Sequence, residues 1–462
     1  MLSGQPAQSD ETSALLAQLQ SIQNAHDTPA FAIAIVDKTG PLHVGSYGEI
    51  DRSSGRLADS NTRFRIGSIT KTITALTTLI AVEQGALALD SPFIKRADAT
   101  LIDNPWRGQT PVTIEQLLEH TAGLKGLTHE EMYHSDPSPL ALSEAIHRFA
   151  KNRRLAWYPG EHYSYTNAGS GLVAYAVQQA TGMEFEAYAH NHLLKPLAMD
   201  TASWRLHEAT RADLAVGYDD DGRTEIPYWH MLFRPFGALN ARPHDMSRLL
   251  LLLLNDGVIE DRRILPAAAM QRLRTPKTSL AARAGLELGY ALGLYSWFSH
   301  GLKFFGHGGD GDGYLSHLGF SLETGRGYFL VINAFTPAPL RATRDAVESF
   351  VAAGSEAPTM PFGSAQVDAS ALGKYVPATS RFGDIAARPT PALKLLKDES
   401  GLLLETTDGR RQRLISAGAT LWRRRDEPGP SAALIRDREG RWTFYTDRIG
   451  YRQWLAPAEQ SK

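Results

Sequence analysis

The chain has 462 residues, no cysteine, and a formal charge of −2 from 48 basic and 50 acidic residues. This length is sufficient for two or three domains with a large core, and 43% hydrophobic with 21% charged residues is typical of a globular protein. The near-zero charge offers no basic surface for nucleic acid. The lack of cysteine excludes disulfides, thiolate zinc sites and a cysteine nucleophile.

The N-terminal residues and the hydropathy bear on the location of the protein in the cell. Residues 1–20 lack the basic start and apolar core of a signal peptide. The longest apolar run, the leucines at 249–254, is far shorter than the ~20 residues of a membrane span, so we expect no span. The mature form of an exported protein also lacks these features, and the absence of cysteine fits an extracytoplasmic protein. We therefore expect a periplasmic or secreted location, with the cytoplasm as the alternative.

The first three quarters of the chain alternate between strand and helix patterns. An N-terminal helical stretch precedes a buried strand at 31–37, for which residues 42–50 are a candidate hairpin partner. From 69 to about 275 the pattern is mostly helical, and strand character returns between 288 and 335 before another helix. Strands on both sides of a helical block indicate one α/β (α+β) domain whose sheet joins early and late segments.

The C-terminal part of the chain has a different composition and sequence pattern. Residues 355–368 are rich in Pro, Gly and Ser and are predicted to be a linker between a domain at 1–354 and a second one at 369–462. Asp408-Gly409 and Glu439-Gly440 each separate two strand-like runs, a hairpin pattern. We therefore predict a small antiparallel β-barrel or sandwich at the C-terminus.

Ser68 stands three residues before Lys71 at the start of a predicted helix, whose apolar face carries Ile69, Ile73 and Leu76. One interpretation is that Ser68 is an N-cap, whose oxygen accepts hydrogen bonds from the first free amides. The other is that the spacing stacks the amine beside the hydroxyl, as a nucleophile and its proton acceptor. The spacing alone favours the cap.

Two further stretches carry groups of interest. Tyr165 and Asn167 stand in a loop that leads into a predicted helix, and His307, Gly308 and Gly309 follow directly on a strand-like run. Glycines after a strand allow a ligand to approach the backbone closely. Taken singly, such features are more often hydrogen-bonding loop residues and a glycine-rich hairpin.

Together, these groups supply everything that an acyl-transfer site needs. Ser68 can attack, and Lys71, driven towards its neutral form by burial, can accept the proton. Tyr165 can relay a proton to the leaving group, while Asn167 orients Lys71 or the substrate. The backbone amides of Ser68 and Asp310 can form an oxyanion hole.

The order of these groups resembles the three active-site motifs of the penicillin-recognising serine hydrolases, in the class C β-lactamase branch. The matching motifs are Ser68-x-x-Lys71, Tyr165-x-Asn167 and His307-x-Gly309. The segment VTIEQLLEHTAGL at 112–124 is also similar to the family's QLLTHTSGL, and the resemblance extends over about residues 20–353.

The resemblance implies a β-lactamase/transpeptidase-like domain at 1–354, with a five-stranded antiparallel sheet flanked by helices. It implies no metal or organic cofactor, and it leaves open whether Lys71 or Tyr165 is the main base. In this interpretation the catalytic residues are Ser68, Lys71 and Tyr165, and the substrate-binding residues are Asn167, His307, Gly308, Gly309 and Asp310.

His307 and Gly308 depart from the family pattern, because β-lactamases and cell-wall carboxypeptidases usually have Lys and Thr at these positions. A histidine is mostly neutral at pH 7, with a reference pKa of about 6.5, and Asp310 and Asp312 would repel a substrate carboxylate. The His-x-Gly form is typical of esterase and D-aminopeptidase members. Some D-aminopeptidases also carry C-terminal antiparallel barrels, so the second domain is expected to be lipocalin-like.

We therefore expect a serine hydrolase that acts through an acyl-enzyme on small-molecule or short-peptide esters and amides, with weak β-lactamase activity at most. The alternative is a penicillin-binding DD-peptidase or a β-lactam sensor with poor turnover. None of the three motifs lies in the C-terminal segment, so the chemistry is not expected to depend on it. The sequence leaves the oligomeric state unknown.

A metallohydrolase is the chemical alternative, since the chain has 15 histidines. His129 and His134, however, would point about 140° apart on a helix, and the pair His190 and His192 is followed by Leu194 where an acidic ligand would stand. The Gly- and Asp-rich stretches at 217–223 and 306–313 lack the distal Glu of a calcium loop and are expected to be turns.

Overall fold

A computed structural model of the chain describes residues 5–135, 140–206, 211–355, 367–379, 392–398, 401–446 and 449–455. The predicted linker at 355–368 lies almost entirely outside these ranges, so the domain boundaries stay a prediction. The described α-helices are α1 (Gln5–Ala25), α2 (Thr70–Glu83), α3 (Ile114–Leu118), α4 (His129–Met132), α5 (Leu142–Arg148), α6 (Ala168–Thr181), α7 (Phe185–Ala189), α8 (Pro243–Leu254), α9 (Ala267–Arg274), α10 (Leu280–Arg283) and α11 (Pro337–Ala352).

The strands are numbered in the same way. Those before residue 370 are β1 (Ala30–Asp37), β2 (Gly40–Asp51), β3 (Arg56–Leu57), β4 (Phe64–Arg65), β5 (Tyr133–His134), β6 (Gly217–Tyr218), β7 (Glu225–Ile226), β8 (His230–Met231), β9 (Asn240–Ala241), β10 (Val258–Ile259), β11 (Arg262–Arg263), β12 (Tyr295–Ser299), β13 (Leu302–Gly311), β14 (Tyr314–Ser321) and β15 (Arg326–Ile332). The C-terminal strands are β16 (Gly373–Pro377), β17 (Leu393–Asp398), β18 (Gly401–Thr406), β19 (Arg411–Ser416), β20 (Leu421–Arg423), β21 (Ala432–Arg436), β22 (Trp442–Tyr445) and β23 (Gly450–Gln453).

The main sheet is antiparallel, with the strand order β12-β13-β14-β15-β1-β2-β3. Phe31 of β1 lies opposite Tyr47 of β2 on one side and Ile332 of β15 on the other, so early and late segments join as predicted. The expected five strands are corrected to seven. The additional pairing lies at the two edges, where β12 runs along β13 and the two-residue β3 pairs with β2.

Both faces of the sheet are covered, and alternate residues of β1 belong to different cores. Ile33 and Ile35 pack with residues of α1 and α11, whereas Ala32 and Ala34 pack with the large core of the helical block, which includes α2, α6 and α8. Burial on both faces explains why β1 has an almost continuous apolar sequence. No helix in the described part of the chain combines the length and apolarity needed to cross a membrane.

The C-terminal strands β16 to β23 form a closed antiparallel barrel of eight strands, which confirms the predicted small barrel. The Asp408-Gly409 turn joins β18 to β19, and the Glu439-Gly440 turn joins β21 to β22. The barrel has its own apolar core, in which Tyr375, Leu395 and Leu402 are fully buried.

Candidate active site

Ser68 lies in a 3₁₀ turn, Gly67–Ile69, that leads directly into α2. The N-cap position of α2 is occupied by Ile69, so Ser68 is not the cap. Its Oγ instead accepts a hydrogen bond from the Lys71 amine at 2.9 Å. Residues three apart lie on the same side of a helical turn, which explains how the spacing brings the hydroxyl and the amine together.

The two members of this pair have different exposures. Ser68 is partly exposed, whereas the Lys71 side chain is only 2% exposed. The Lys71 amine also donates to the Phe236 carbonyl at 2.8 Å, and it lies 4.9 Å from the centre of the Tyr165 ring. The amine is therefore held in one position, between the serine hydroxyl and the tyrosine of the second motif.

The second motif lies just before α6. The Tyr165 ring centre is 6.3 Å from that of His307, so the second motif borders the third as well as Lys71. Asn167 occupies the N-cap position of α6, and its Nδ2 donates to the sulfur of Met132 at 3.3 Å. Among the residues that the structure describes, the buried Oδ1 of Asn167 accepts no hydrogen bond. The role of Asn167 in orienting Lys71 or the substrate stays a prediction.

The end of β13 packs directly against the serine turn. A Cβ added to Gly67, where φ is +53°, would lie 2.7 Å from the amide nitrogen of Asp310, and one added to Gly309 would lie 2.0 Å from the carbonyl oxygen of Ile66. Only glycine permits so close an approach. The backbone of Gly67, next to Ser68, therefore lies close to that of Asp310, and the oxyanion hole formed by the amides of Ser68 and Asp310 stays a prediction.

His307 is buried inside the protein, at 3% exposed. Its Nδ1 donates to the carbonyl oxygen of Gly308, and its Nε2 lies 2.8 Å from the Tyr290 hydroxyl. A carbonyl oxygen can only accept, so Nδ1 carries a proton, and Nε2 pairs with the Tyr290 hydroxyl. A Cβ added to Gly308 would lie 3.2 Å from the Tyr295 hydroxyl. Direct substrate contacts of His307, Gly308 and Gly309 stay predictions.

Two aromatic residues of this site were not selected from the sequence. The His120 ring centre is 4.4 Å from that of Tyr165 and 4.5 Å from that of Tyr290, and its Nδ1 accepts from the Thr166 amide at 3.3 Å. The backbone of His120 is left-handed, with φ +58°, a conformation that needs support from its surroundings. His120 lies in the stretch that resembles the family's QLLTHTSGL, so the sequence contained a signal from which His120 could have been selected. No such pattern marks Tyr290.

The charges near the end of β13 are unequal in their access to solvent. Asp310 is exposed, whereas burial raises the pKa of Asp312, an effect that the charge of Arg65 opposes. Arg65 itself is 1% exposed, with its guanidinium 4.0 Å above the Tyr228 ring and a hydrogen bond to the Trp229 carbonyl at 2.6 Å. The charge that faces solvent at this place is therefore negative and belongs to Asp310.

The histidines considered for a metal belong to different elements. His129 lies in α4 and His134 in β5, so they are not on one helix. Within the described ranges, no group of three or more His, Asp and Glu side chains is placed to hold a metal ion.

The sequence profile of the beta-lactamase family matches residues 14–353. The chain belongs to the beta-lactamase family. This confirms the resemblance to the penicillin-recognising serine hydrolases, and as a member of the family the protein is a serine hydrolase. Penicillin-binding protein 4 of Amycolatopsis lactamdurans is 26% identical over 312 residues, which are 65% of this chain and 80% of that protein.

Two solved structures are similar to this chain. The octameric penicillin-binding protein homologue from Pyrococcus abyssi superposes with a TM-score of 0.62 at 20% identity and covers 96% of this chain and 100% of its own. D-alanine carboxypeptidase AmpC from Burkholderia cenocepacia superposes with a TM-score of 0.58 at 21% identity and covers 74% of this chain and 99% of its own. At these identities the likeness concerns the fold, which in the first structure includes the barrel.

Proposed function

We propose that this serine hydrolase is an esterase or a D-aminopeptidase-like enzyme, acting through an acyl-enzyme on neutral or ammonium-bearing esters, amides or short peptides. The observation that supports the chemistry most is the 2.9 Å contact between Ser68 Oγ and the buried Lys71 amine, next to the amide of Asp310. A nucleophile and a positioned proton acceptor are what acyl transfer needs.

In the proposed reaction, Ser68 Oγ attacks the substrate carbonyl carbon while its proton passes either to Lys71 in its unprotonated form or to Tyr165 in its phenolate form. The negative charge that develops on the carbonyl oxygen is stabilised by the amides of Ser68 and Asp310. When the intermediate collapses, Tyr165 donates a proton to the departing oxygen or nitrogen. Water then attacks the acyl group and regenerates Ser68, with the same residues moving the protons in the reverse direction.

The proposed substrate preference follows from the charges near β13. The two ring nitrogens of His307 are engaged by Gly308 and Tyr290, and the permanent cation of Arg65 is buried against Tyr228. A substrate carboxylate beside the scissile bond would therefore find neither of these groups available and would face the exposed Asp310. Neutral groups avoid that repulsion, and an ammonium group is attracted.

The similarity to a penicillin-binding protein supports the alternative, a DD-peptidase or a β-lactam sensor. Such a protein would use the same residues for acylation. A sensor differs in the slow release of the acyl group, whereas a DD-peptidase turns over and differs in accepting a peptide with a free carboxylate.

A substrate panel tests the proposal. A p-nitrophenyl butyrate ester, a D-alanine p-nitroanilide and a chromogenic cephalosporin are compared by kcat/KM, with Ser68→Ala as the inactive control. We expect many turnovers of the ester or the amide, with kcat/KM at least about tenfold above that of the cephalosporin, which corresponds to ~1.4 kcal/mol. A burst of one equivalent without further turnover would support the sensor, and preferred hydrolysis of the cephalosporin would contradict the proposed specificity.

A further inference from the structure

The segment that carries Tyr165, residues 160–166 (the tyrosine segment), is held from two sides. On one side it binds other residues of its own, N-terminal domain. The Gly160 amide donates to the Thr121 carbonyl at 2.8 Å, and the Ser164 amide donates to the His120 carbonyl at 2.8 Å. These bonds fix the two ends of the stretch between Gly160 and Ser164 and leave its middle to other partners.

The barrel holds the middle of the tyrosine segment. His162 is 1% exposed, and its ring stacks on Tyr445, with 5.9 Å between ring centres. The Tyr445 oxygen lies 2.7 Å from His162 Nδ1, and Arg452 Nη2 lies 3.1 Å from Nε2. Thr379 donates to the carbonyl oxygen of Tyr163 at 2.9 Å. We refer to Thr379, Tyr445 and Arg452 as the barrel clamp.

The donors and acceptors in the hydrogen bonds of the clamp can be assigned. A guanidinium can only donate, so Nε2 of His162 accepts from Arg452 and Nδ1 carries the proton. Nδ1 then donates to the Tyr445 oxygen, which leaves the Tyr445 hydroxyl to donate to the Glu161 carbonyl at 3.3 Å. Arg452 Nη2, His162 Nδ1 and the Tyr445 hydroxyl therefore each have an acceptor, as expected of a network built into the fold.

An apolar contact also docks the barrel. Leu286 and Leu288 of the N-terminal domain form one buried cluster with Ala433, Ile435 and the Tyr445 ring of the barrel. Substitutions that remove only the clamp hydroxyls therefore keep this apolar contact. The polar groups of the clamp act on the backbone and the side chain at 161–163, two to four residues before Tyr165.

We propose that the barrel is a positioning element of the active site, in which the clamp holds the tyrosine segment so that Tyr165 stays beside Lys71. This inference rests on the proposed role of Tyr165. It differs from the expectation from sequence that the chemistry is independent of the C-terminal segment. Thr379 and Tyr445 are positioning residues, because they act on Tyr165 through the backbone and through His162.

The test uses full-length variants that remove single hydroxyls and keep the packing. Tyr445→Phe and Thr379→Val are combined, and Tyr375→Phe is the matched control, since its buried hydroxyl donates to Ala371 within the barrel at 2.7 Å. With the best ester of the panel, the double variant should lower kcat about tenfold and change KM less than about twofold. The control should keep the wild-type kcat even if its melting temperature falls as much as that of the double variant. An unchanged kcat in the double variant, or an equal loss in the control, would overturn the inference.

A double-mutant cycle separates positioning from a general loss of structure. In a Tyr165→Phe background, removing the clamp hydroxyls should cause no further loss of kcat, because the group that they position is already absent. If the losses in kcat from Tyr165→Phe and from the clamp substitutions multiply, this inference is wrong, while the proposed function is unaffected. A wild-type protein that neither hydrolyses the panel nor reacts with a fluorophosphonate would overturn the proposed function and this inference with it.

Discussion

Acidification should destabilise the folded protein through one buried histidine. Burial first, and then the positive charge of Arg452, lowers the pKa of His162 from 6.5 to about 4. Asp437 acts in the opposite direction and Arg441 reinforces the lowering. The Glu161 carboxylate lies 4.0 Å from Nε2, and burial raises the pKa of this carboxyl. Protonation at Nε2 would replace the acceptor that Arg452 uses by a second positive charge.

The sign and the size of the effect follow from the two pKa values. Between about pH 4 and pH 6.5, His162 is protonated more in the unfolded chain than in the folded protein. Its contribution to the free energy of unfolding therefore falls as the pH falls through this window and stays nearly constant outside it. From pH 7 to pH 4.5, the contribution of His162 decreases by ~2 kcal/mol.

The measurement is the free energy of unfolding in urea at pH 7 and pH 4.5 for the wild type and His162→Gln. Glutamine keeps a donor and an acceptor at this position but does not titrate, so the wild type should lose ~2 kcal/mol more than the variant. The control is His244→Gln at an exposed position, which should lose as much as the wild type. Equal losses in the wild type and His162→Gln would refute a neutral, buried His162.

Three substitutions test other parts of the site. Lys71→Met keeps the apolar stem but removes the proton acceptor of Ser68, so kcat/KM for the ester should fall about 10³-fold; steady-state kinetics measures this, and a loss below tenfold would contradict the role. Gly67→Ala places a Cβ 2.7 Å from the Asp310 amide nitrogen at φ +53°, so the rate of Ser68 labelling should fall at least about 100-fold, and a wild-type rate in stopped-flow experiments would exclude this oxyanion hole. Asp310→Asn removes the exposed negative charge, so the ratio of kcat/KM for a carboxylate-bearing ester over its neutral analogue should rise several-fold, and an unchanged ratio would show that Asp310 does not face the substrate.

Local geometry explains why the contact between Ser68 and Lys71 could be predicted. Ser68 and Lys71 are three residues apart, and a helical turn of any kind brings such residues together. The glycines of the third motif were expected to let a ligand approach, which stays a prediction; the structure shows Gly309 inside β13, close to the carbonyl oxygen of Ile66. The contact between Ser68 and Lys71 depends on a few neighbouring residues, whereas that between Gly309 and Ile66 joins distant segments.

The parts that could not be predicted depend on contacts between distant segments. His162 meets Tyr445 at a separation of 283 residues, and no periodicity in either segment indicates this pairing. The partner of His307 is nearer in sequence, but Tyr290 stands in a stretch that carries no motif. The strand count of five came from the family resemblance and was wrong. β12 lies in the stretch with predicted strand character, whereas β3 has two residues and is held by its pairing rather than by its own sequence.

The most direct test of the central claim is mass spectrometry of the full-length protein after reaction with a fluorophosphonate, followed by peptide mapping. We predict one adduct per chain on the peptide that contains Ser68, and in Ser68→Ala the loss of both the adduct and ester hydrolysis. An adduct on another residue, or hydrolysis that survives in Ser68→Ala, would contradict the account.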